Sequence, residues 1–495
     1  MSNKVLIFMI ILSILFTGCQ KNANIIEVET VENSNKETQA DEQFYEVSNQ
    51  GGAFSNEDLI YFIMTDRFFD GDESNNPLKD VNKNSPKAYH GGDLKGITEK
   101  LDYIKSLGTT VLWITPVAEN TANGYHGYWI NDFYKVDPHL GTMDDLKHLV
   151  QEAHQRDIKV LLDYVVNHTS PDSQMINEKP ADWFNPKKDI ANWNNQEEIE
   201  KGWIYGLPDL NQDHLEVKNF LIENALWWIE ETDVDGMRLD TVKHVPKSFW
   251  NTFAYAIKVE YPDFYLLGEV WNNNPRYLEQ YHQLGIDGMT DYPLYEGIRN
   301  AFTRFGKADT LTNAIEQRYK YSNPEINGIF VDNHDNSRLI TYAGENGYEY
   351  LKQALTFIMT YPSIPIIYYG TEIAMEGGED PDNRRDMDWA STKDSEMLTF
   401  YKKLAQLRSS NRAIKEGSIK LLDHDSYFFS YMREKDEQSI VIVMNLQSKE
   451  KNATVNIPMQ SVKYENILNG KAYDIKNNKL EIVLQPFEIL ILEFR

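Results

Sequence analysis

Eight short apolar runs recur between residues 59 and 371, and segments with helical spacing of apolar residues separate most of them. The runs are rich in β-branched and aromatic residues and cover 59–68, 110–117, 159–167, 235–240, 265–270, 287–292, 328–335 and 364–371. Repeated alternation of this kind predicts an α/β fold, a closed parallel (β/α)8 TIM barrel whose chemistry lies at the C-terminal ends of its strands. An open doubly wound sheet would also alternate, but no glycine-rich phosphate loop follows the first run.

Two regions depart from this alternation. After the third run, a segment with no clean period is too long for a strand-to-helix loop and predicts a small inserted domain over 169–209. The barrel is therefore expected to comprise 54–168 and 210–414. Beyond Gly417 the apolar residues alternate with period two, which predicts a C-terminal antiparallel β-sandwich domain over 415–495.

Charge and cysteine content exclude several classes of partner and site. The chain of 495 residues has 49 Lys and Arg against 76 Asp and Glu, a net charge of −27 that would repel nucleic acid. Its single cysteine cannot form an internal disulfide, a CxxC redox pair or a thiolate zinc site. Neutral hydroxyl-rich ligands and hard cations remain as candidates.

The N-terminus resembles a bacterial lipoprotein signal. Lys4 precedes an apolar run over 5–16, which is shorter than the roughly 20 residues of a membrane-spanning helix. The run ends in Phe16-Thr17-Gly18-Cys19, similar to a lipobox, which implies that 1–18 is a signal peptide and that Cys19 is acylated. The polar, acidic residues 19–53 are expected to form a flexible tether to the cell envelope, the only membrane contact. The alternative is an ordinary signal peptide with an incidental cysteine.

Charged residues at the ends of apolar strands are the main candidates for catalysis. Arg238 and Asp240 are two positions apart on one strand and share a face, so the guanidinium would hold Asp240 ionised as a nucleophile. Asp240, Glu269 and Asp335 follow three different strands and are expected to face one pocket. Ionising all three carboxyl groups in one pocket would cost free energy because like charges repel. One of them would therefore keep its proton and serve as the proton donor, as retaining glycoside hydrolysis requires. Ion pairs that only stabilise the fold are the alternative.

Four segments together resemble the four signature regions of the α-amylase family (glycoside hydrolase family 13). They are 163–168, 236–244, 268–271 and 332–335, in the family's order. The resemblance implies that Asp240 is the nucleophile, Glu269 the acid/base and Asp335 the stabiliser of the transition state. It also implies contacts to the sugar in subsite −1 from three further side chains: Arg238, His168 and His334.

Further substrate contacts are implied by the same resemblance. His126 and Tyr128 lie in a segment similar to the one whose tyrosine stacks on the subsite −1 ring, with core packing as the alternative. Asp380 and Arg384 lie in a segment similar to one that lines the glycone subsites, with a solvated loop as the alternative. Lys243 and His244 resemble the pair found in α-amylases and cyclodextrin glucanotransferases.

Two oxygen-rich sets imply one or two Ca²⁺ ions by resemblance, since hard oxygen ligands suit this cation. The first set is Asn167, Asp209 and the backbone carbonyl of His244. The second set follows the first strand and resembles a calcium loop of cyclodextrin glucanotransferases: Asp70, Asp72, Asn75, Asn76, Gly91 and Asp93. A turn that satisfies its own backbone is the alternative for the second set.

The resemblance implies a monomeric, secreted α-amylase that hydrolyses internal α-1,4-glucosidic bonds of starch and maltooligosaccharides. One alternative is an α-glucan hydrolase that resembles neopullulanases, cyclomaltodextrinases or oligo-1,6-glucosidases. Asn211 and the segment 380–385 would suit it. A binding subunit without catalysis is disfavoured because all three carboxylates are present.

Overall fold

The computed structural model of the protein describes residues 44–47, 52–76, 80–304, 306–458 and 463–494. The expected signal peptide 1–18 and the acylation site Cys19 lie outside the described residues, as does most of the expected tether. Within the described ranges, no helix is both long enough and apolar enough to cross a membrane.

Eight parallel strands form a near-closed barrel, and each lies within one of the eight apolar runs. The first to eighth barrel strands are Ile60–Ile63, Val111–Ile114, Lys159–Tyr164, Gly236–Leu239, Tyr265–Gly268, Gly288–Met289, Gly328–Phe330 and Ile364–Tyr368. They pair in the order 6-5-4-3-2-1-8-7, and a parallel bridge between Thr290 and Gly328 joins the two edges. The predicted fold class is therefore confirmed. Because both faces of the barrel are covered, most strand residues are fully buried, which explains why the runs are continuous rather than alternating.

Helices on the outside of the barrel follow the predicted spacing. Leu146, Leu149, Val150 and Ala153 form the buried face of the helix Met143–His154, which begins at a Thr142 capping box. The α-helices are Thr65–Phe68, Leu94–Glu99, Leu101–Ser106, Met143–His154, Met175–Glu178, Gln196–Lys201, Leu215–Thr232, Lys247–Glu260, Pro275–His282, Tyr292–Ala301, Ala308–Glu316, Leu339–Ala343, Gly347–Thr360, Glu396–Ser410 and Arg412–Glu416.

Two excursions from the barrel shape its C-terminal end. After the second strand, a hairpin of Ala118–Asn120 and Ile130–Val136 carries the loop that contains His126 and Tyr128. After the third strand, the irregular segment contains the helices Met175–Glu178 and Gln196–Lys201. It returns to the barrel at a bridge between His168 and Asp209, which joins its two ends.

The C-terminal region is antiparallel, as its alternating pattern predicts. Six strands form one sheet in the order Ser418–Asp425, Phe428–Lys435, Gln438–Asn445, Ile489–Phe494, Lys463–Asn466 and Ala472–Asp474. A separate pair consists of Lys451–Asn456 and Lys479–Leu484. Side chains from both sheets, such as Val441 and Val455, form a second apolar core.

Candidate active site

A buried arginine gathers three carboxylates at the C-terminal end of the barrel. Arg238 lies on the fourth strand and its side chain is 1% exposed. Its Nη1 binds Asp240 Oδ1 at 2.6 Å and Asp163 Oδ1 at 3.0 Å, and its Nη2 lies 2.8 Å from Glu269 Oε1. Asp240 and Glu269 each lie one residue beyond a strand, and both therefore face the same pocket. The predicted convergence of Asp240 and Glu269 is present in the structure.

Asp163 was not among the predicted site residues, although its segment was. It is fully buried on the third strand, where its Oδ2 accepts hydrogen bonds from Trp113 Nε1 at 3.2 Å and Tyr128 Oη at 2.8 Å. The signal in the sequence was a charged residue inside an apolar strand, a position that burial makes costly unless the charge is paired.

Burial perturbs the titration of this cluster. It raises the pKa of Asp163 to about 6, although Arg238 opposes the shift. Burial also raises the pKa of Asp240 well above its usual range, with Glu269 and Asp163 adding to the shift and Arg238 opposing it. Burial and the neighbouring carboxylates therefore outweigh Arg238, which is contrary to the expectation that the guanidinium holds Asp240 ionised.

Glu269 receives three hydrogen-bond or ion-pair contacts. Besides Arg238, the Tyr292 hydroxyl donates to Oε1 at 3.3 Å and the backbone N–H of Thr241 donates to Oε2 at 3.0 Å. Thr241 directly follows Asp240 and has a left-handed backbone with φ of 47°. The turn after the fourth strand thus links the two carboxylates through the backbone.

Asp335 approaches the pocket from the other side of the barrel. Its Oδ1 lies 3.1 Å from Arg384 Nη2, and its Oδ2 lies 3.4 Å from His334 Nε2. Arg384 also contacts Asp380 Oδ1 at 3.2 Å through Nη1, and burial leaves only 10% of the Arg384 side chain exposed. The structure therefore brings Asp335, His334, Arg384 and Asp380 into one connected group.

Aromatic and imidazole rings form one wall of the pocket. Tyr128 stacks on His334 with ring centroids 5.2 Å apart and planes 10° apart, and its hydroxyl binds Asp163. His126 accepts a hydrogen bond from Tyr128 N at 3.1 Å, and His168 Nε2 lies 3.2 Å from Tyr128 O. Burial lowers the pKa of His168 to about 4 and the pKa of both other histidines well below the usual range. The three imidazoles are therefore neutral hydrogen-bonding groups near neutral pH.

The inserted segment supplies a second aromatic rim. Lys243 Nζ donates to the backbone carbonyl of Trp271 at 3.0 Å and lies 5.8 Å from the centroid of the Trp193 ring. Trp193 and Trp271 are 48% and 45% exposed, respectively. His244, next in the chain, is buried, and its Nδ1 lies 3.3 Å from the Ile199 carbonyl. Trp193 escaped the sequence analysis because it lies in a segment without periodicity.

Oxygen atoms of the first predicted calcium set converge. One terminal atom of the Asn167 amide lies 2.9 Å from the His244 carbonyl oxygen and 3.2 Å from Asp209 Oδ1. With nitrogen in that place, the amide donates to both oxygens. With oxygen in that place, three oxygens face one another and require a cation between them. Asp209 is fully buried, and burial raises its pKa well above the usual range.

The second predicted set contains buried oxygens without hydrogen-bond partners among the described residues. Asp70 Oδ1, Asn75 Oδ1 and Asn76 Oδ1 are buried and have no hydrogen-bond partner among the described residues. Gly91 packs so closely on Asn76 Oδ1 that a Cβ would lie 2.2 Å from it. Asp93 instead accepts from the backbone N–H groups of Gly96 and Asp72, at 2.6 and 2.8 Å.

Asp72 is oriented differently from the rest of this set. Its side chain accepts from Ser74 N at 2.9 Å and pairs with Lys95, so both carboxylate oxygens already have partners within the protein. In the described part of the chain, no group of three or more His, Cys, Asp or Glu side chains forms a metal-binding cluster. Amide and carbonyl oxygens therefore dominate both sets.

Models of known protein families match two parts of this chain. The family model described as "Alpha amylase, catalytic domain" matches residues 62–391, which is most of the chain. The chain belongs to the α-amylase family. A second model, "Maltogenic Amylase, C-terminal domain", matches residues 419–491, and it places the C-terminal sheet in the same family context. The amylase-type catalytic domain makes the protein a glycoside hydrolase.

Three similar proteins are named as three different kinds of enzyme. A "Beta/alpha-amylase" from Paenibacillus polymyxa is 38% identical over 87% of this chain, but the chain spans only 37% of that protein. A "Cyclomaltodextrinase" from a Bacillus species is 32% identical, with 80% of this chain and 74% of the relative covered. A "Maltogenic alpha-amylase" from Bacillus acidopullulyticus is 30% identical, with 87% and 76% covered.

Solved structures of related proteins have the same overall fold over nearly their full length. The α-amylase from Anoxybacillus has a TM-score of 0.84 and 45% identity, covering 89% of this chain and 98% of its own. A cyclomaltodextrin glucanotransferase, CldA, described as having a three-domain ABC distribution, has a TM-score of 0.82 and 29% identity, covering 88% and 99%. An α-amylase and a glucanotransferase thus share the fold of this chain.

Proposed function

We propose that the protein is a retaining hydrolase of α-1,4-linked glucans of the maltogenic or cyclomaltodextrinase type. The main support for a retaining mechanism is that one guanidinium, that of Arg238, contacts both Asp240 and Glu269. Two carboxylates on the terminal nitrogens of one arginine are close together, as the separation of about 5–5.5 Å in retaining enzymes requires. An inverting pair would need about 6.5–9.5 Å to admit a water.

The reaction proceeds by two displacements. Asp240 attacks the anomeric carbon while Glu269 donates a proton to the departing glycosidic oxygen, which leaves as a hydroxyl on the released glucan. Glu269 then removes a proton from a water that attacks the same carbon, and the bond to Asp240 breaks. The configuration at the anomeric carbon is restored. Asp335 stabilises the oxocarbenium-like charge, and the Tyr128 ring packs against the sugar.

A first experiment tests this chemistry directly. Proton NMR during the first minutes of maltodextrin hydrolysis should detect α-anomeric products before mutarotation mixes the anomers. Asp240→Asn should lose most of its kcat while its Tm stays close to wild type, because the removed carboxylate acts on the reacting carbon. A burst of β-anomer, or an active Asp240→Asn variant, would reject the assignment.

The relatives and the C-terminal domain support one substrate preference over another. The C-terminal match to a maltogenic amylase domain and the names of the relatives favour short or cyclic α-glucans over the plain α-amylase activity expected from the sequence. Endo-acting α-amylase is the second candidate, supported by 45% identity to the Anoxybacillus α-amylase. Rates on β-cyclodextrin, pullulan and starch distinguish them. The first proposal expects β-cyclodextrin to be cleaved faster than starch, and the reverse order supports the second.

The two oxygen-rich sets fit Ca²⁺, and we include that ion in the proposal. Asn167, Asp209 and the His244 carbonyl would hold one ion between the barrel and the inserted segment, and Asp70, Asn75 and Asn76 would hold another. A ligand bound only by the native state stabilises it by mass action. Chelation should therefore lower the Tm, and readdition of Ca²⁺ should restore it. Identical melting curves with and without chelator would reject both sites.

Attachment to the bacterial envelope through Cys19 is also part of the proposal. It is supported by the short apolar run and the lipobox-like sequence that ends at Cys19. Cys19→Ala should move the enzyme from the membrane fraction to the soluble fraction, because the acyl chain would be lost. Unchanged fractionation of Cys19→Ala would reject the anchor.

A further inference from the structure

Asp335 is held differently from the other two carboxylates of the site. Asp240 and Glu269 lie one residue past their strands, and their backbone N–H groups donate to Tyr164 O at 3.0 Å and Leu239 O at 2.9 Å. The strand ladder therefore continues through both residues. Asp335 lies five residues beyond Phe330, where the seventh strand ends. No strand pairing reaches it, so other contacts must fix its position.

The loop after the eighth strand supplies these contacts through Asn383. The Asn383 Nδ2 donates to His334 O at 2.7 Å and to Asn336 O at 3.0 Å, with Asn333 O at 3.5 Å. His334 and Asn336 are the neighbours of Asp335 in the chain. One amide group therefore binds the backbone on both sides of Asp335.

The orientation of this amide is determined by its surroundings. Asn383 is fully buried, and its Oδ1 has no hydrogen-bond partner among the described residues. The nitrogen faces carbonyl oxygens only, so the reversed amide would bring oxygen against oxygen. Arg384 adds a second tie, since its Nε donates to His334 O at 2.8 Å.

Asn383 is itself anchored to the barrel. The hydroxyl of Tyr368, the last residue of the eighth strand, donates to Asn383 O at 3.3 Å. The start of the Asp335 loop has a separate anchor, because Asp332 accepts from Thr371 Oγ1 at 2.8 Å and Leu339 N at 3.0 Å. Asn383 thus connects a rigid strand end to the part of the loop that carries Asp335.

We infer that Asn383 is a positioning residue that sets the placement of Asp335 and His334 for the transition state. The inference rests on the roles proposed above for those two residues. Asn383 carries no charge and contacts backbone carbonyls, so it would act by fixing the geometry of the loop. A shift of about 1 Å in a group that meets the reacting centre costs about a hundredfold in rate, so a single buried amide can matter this much.

Asn383→Asp tests this inference with almost no change in shape. It replaces the NH2 group, which donates to both the His334 and Asn336 carbonyls, by an oxygen that can donate at most one hydrogen bond and only when protonated, so at least one carbonyl loses its donor. We expect kcat to fall about ten- to a hundredfold while KM changes little. Asn383→Ala removes the donor without adding an acceptor, and it should show the same pattern if the Asp variant does not fold.

Asn445→Asp is the matched control. Asn445 is also fully buried, and its Nδ2 donates to Lys449 O and Gln485 O, both at 2.8 Å, in the C-terminal sheet region. Both Asp variants should lower the Tm, because each places a carboxyl among carbonyl oxygens. At temperatures below both melting transitions, only Asn383→Asp should lower kcat. Equal kcat in the two variants would overturn the inference.

Asp335→Asn separates the two hypotheses. If Asp335→Asn is as active as wild type, the proposed role of Asp335 fails, and the inference about Asn383 fails with it. If Asp335→Asn is inactive while Asn383→Asp keeps its kcat, only the positioning inference is overturned. Loss of kcat in both, with Asn445→Asp unaffected, supports both.

Discussion

At the scale of single residues, Arg238 controls the electrostatics of the site. It is the cation in direct contact with Asp163, Asp240 and Glu269 within the described pocket. Removing any one carboxylate should change how strongly the guanidinium interacts with the other two. Asp163 is the informative position, because it contacts Arg238 yet is fully buried behind Tyr128 and Trp113.

Asp163→Asn should shift the pH profile of kcat/KM. The negative charge of Asp163 raises the pKa of Asp240, so removing that charge should lower the pKa of the nucleophile. The acidic limb of the profile, where Asp240 becomes protonated, should therefore move to lower pH. The rate should also fall about tenfold, because Tyr128 and Arg238 lose an anionic partner.

Asp58→Asn is the control for this experiment. Asp58 is also buried and paired, to Lys159 at 2.9 Å, but it precedes the first strand at the opposite end of the barrel. Its replacement should leave the pH profile in place. An acidic limb that stays fixed in Asp163→Asn would contradict the electrostatic role of Asp163.

Three of the residues that the sequence could predict share one property. Arg238, Asp240 and Glu269 are charged residues in or directly after apolar strands, where a charge needs a functional or pairing reason. Asn383 has no such signal, because its partners His334 and Asn336 are distant in the chain and meet it only through the closure of the barrel.

At the scale of elements, a half-buried histidine joins the loops after the first two strands. His139 Nε2 lies 2.8 Å from Asp80 Oδ1, and His139 Nδ1 lies 2.7 Å from Asp137 Oδ1. The ring stacks on Tyr89 with centroids 3.7 Å apart. Asp80 also accepts from Asn123 N at 3.0 Å, in the loop that carries His126 and Tyr128. This contact therefore ties the aromatic wall of the pocket to the loop after the first strand.

Folding stability should depend on the charge of His139. Burial lowers its pKa, but the hydrogen bonds and charges of Asp137 and Asp80 outweigh burial, and the net shift is upward. A raised pKa means that the stabilisation is complete below the unfolded value of about 6.5 and is lost as pH rises through the folded value. Wild type should therefore lose more Tm between pH 6 and pH 9 than His139→Gln does. His148→Gln, at an exposed position of the helix Met143–His154, should behave as wild type. Parallel Tm curves for wild type and His139→Gln would contradict this prediction.

Element boundaries were predicted less well than element order. The first run suggested a strand over 59–68, but the strand is Ile60–Ile63 and a helix follows at Thr65–Phe68. Met64 and Phe68 extend the apolar character beyond the strand because they stay buried at the end of the barrel without strand pairing, as do the polar residues between them. Continuous apolar character reports burial, whereas a strand requires a partner, and only the folded barrel supplies that partner.

At the scale of the whole molecule, a buried arginine joins the barrel to the C-terminal sheet. Arg433, on the strand Phe428–Lys435, donates from Nη1 to Thr360 O at 2.5 Å and from Nη2 to Gly417 O at 2.7 Å. Thr360 ends the barrel helix Gly347–Thr360, whose last carbonyls have no partner within the helix. Nearby, Arg408 Nη1 donates to Met359 O at 3.1 Å. Burial lowers the pKa of Arg433 to about 9, and the charge of Arg408 adds to this shift.

Arg433→Met should weaken the coupling between the two regions. The methionine fills much of the same volume but leaves the carbonyls of Thr360 and Gly417 without donors, at a cost of about 1–3 kcal/mol per buried unsatisfied group. Removal of a buried cation offsets part of that loss, so we expect a net loss of about 2 kcal/mol in the free energy of unfolding. Arg412→Met is the matched control, because Arg412 is 55% exposed and pairs only with Glu416 and Asp436 among the described residues. Urea unfolding should give a lower midpoint for Arg433→Met alone, with kcat unchanged in both variants because neither residue reaches the pocket. Equal midpoints for the two variants would show that the arginine contacts do not stabilise the junction. The apolar contacts between barrel and sheet would then suffice to hold the molecule together.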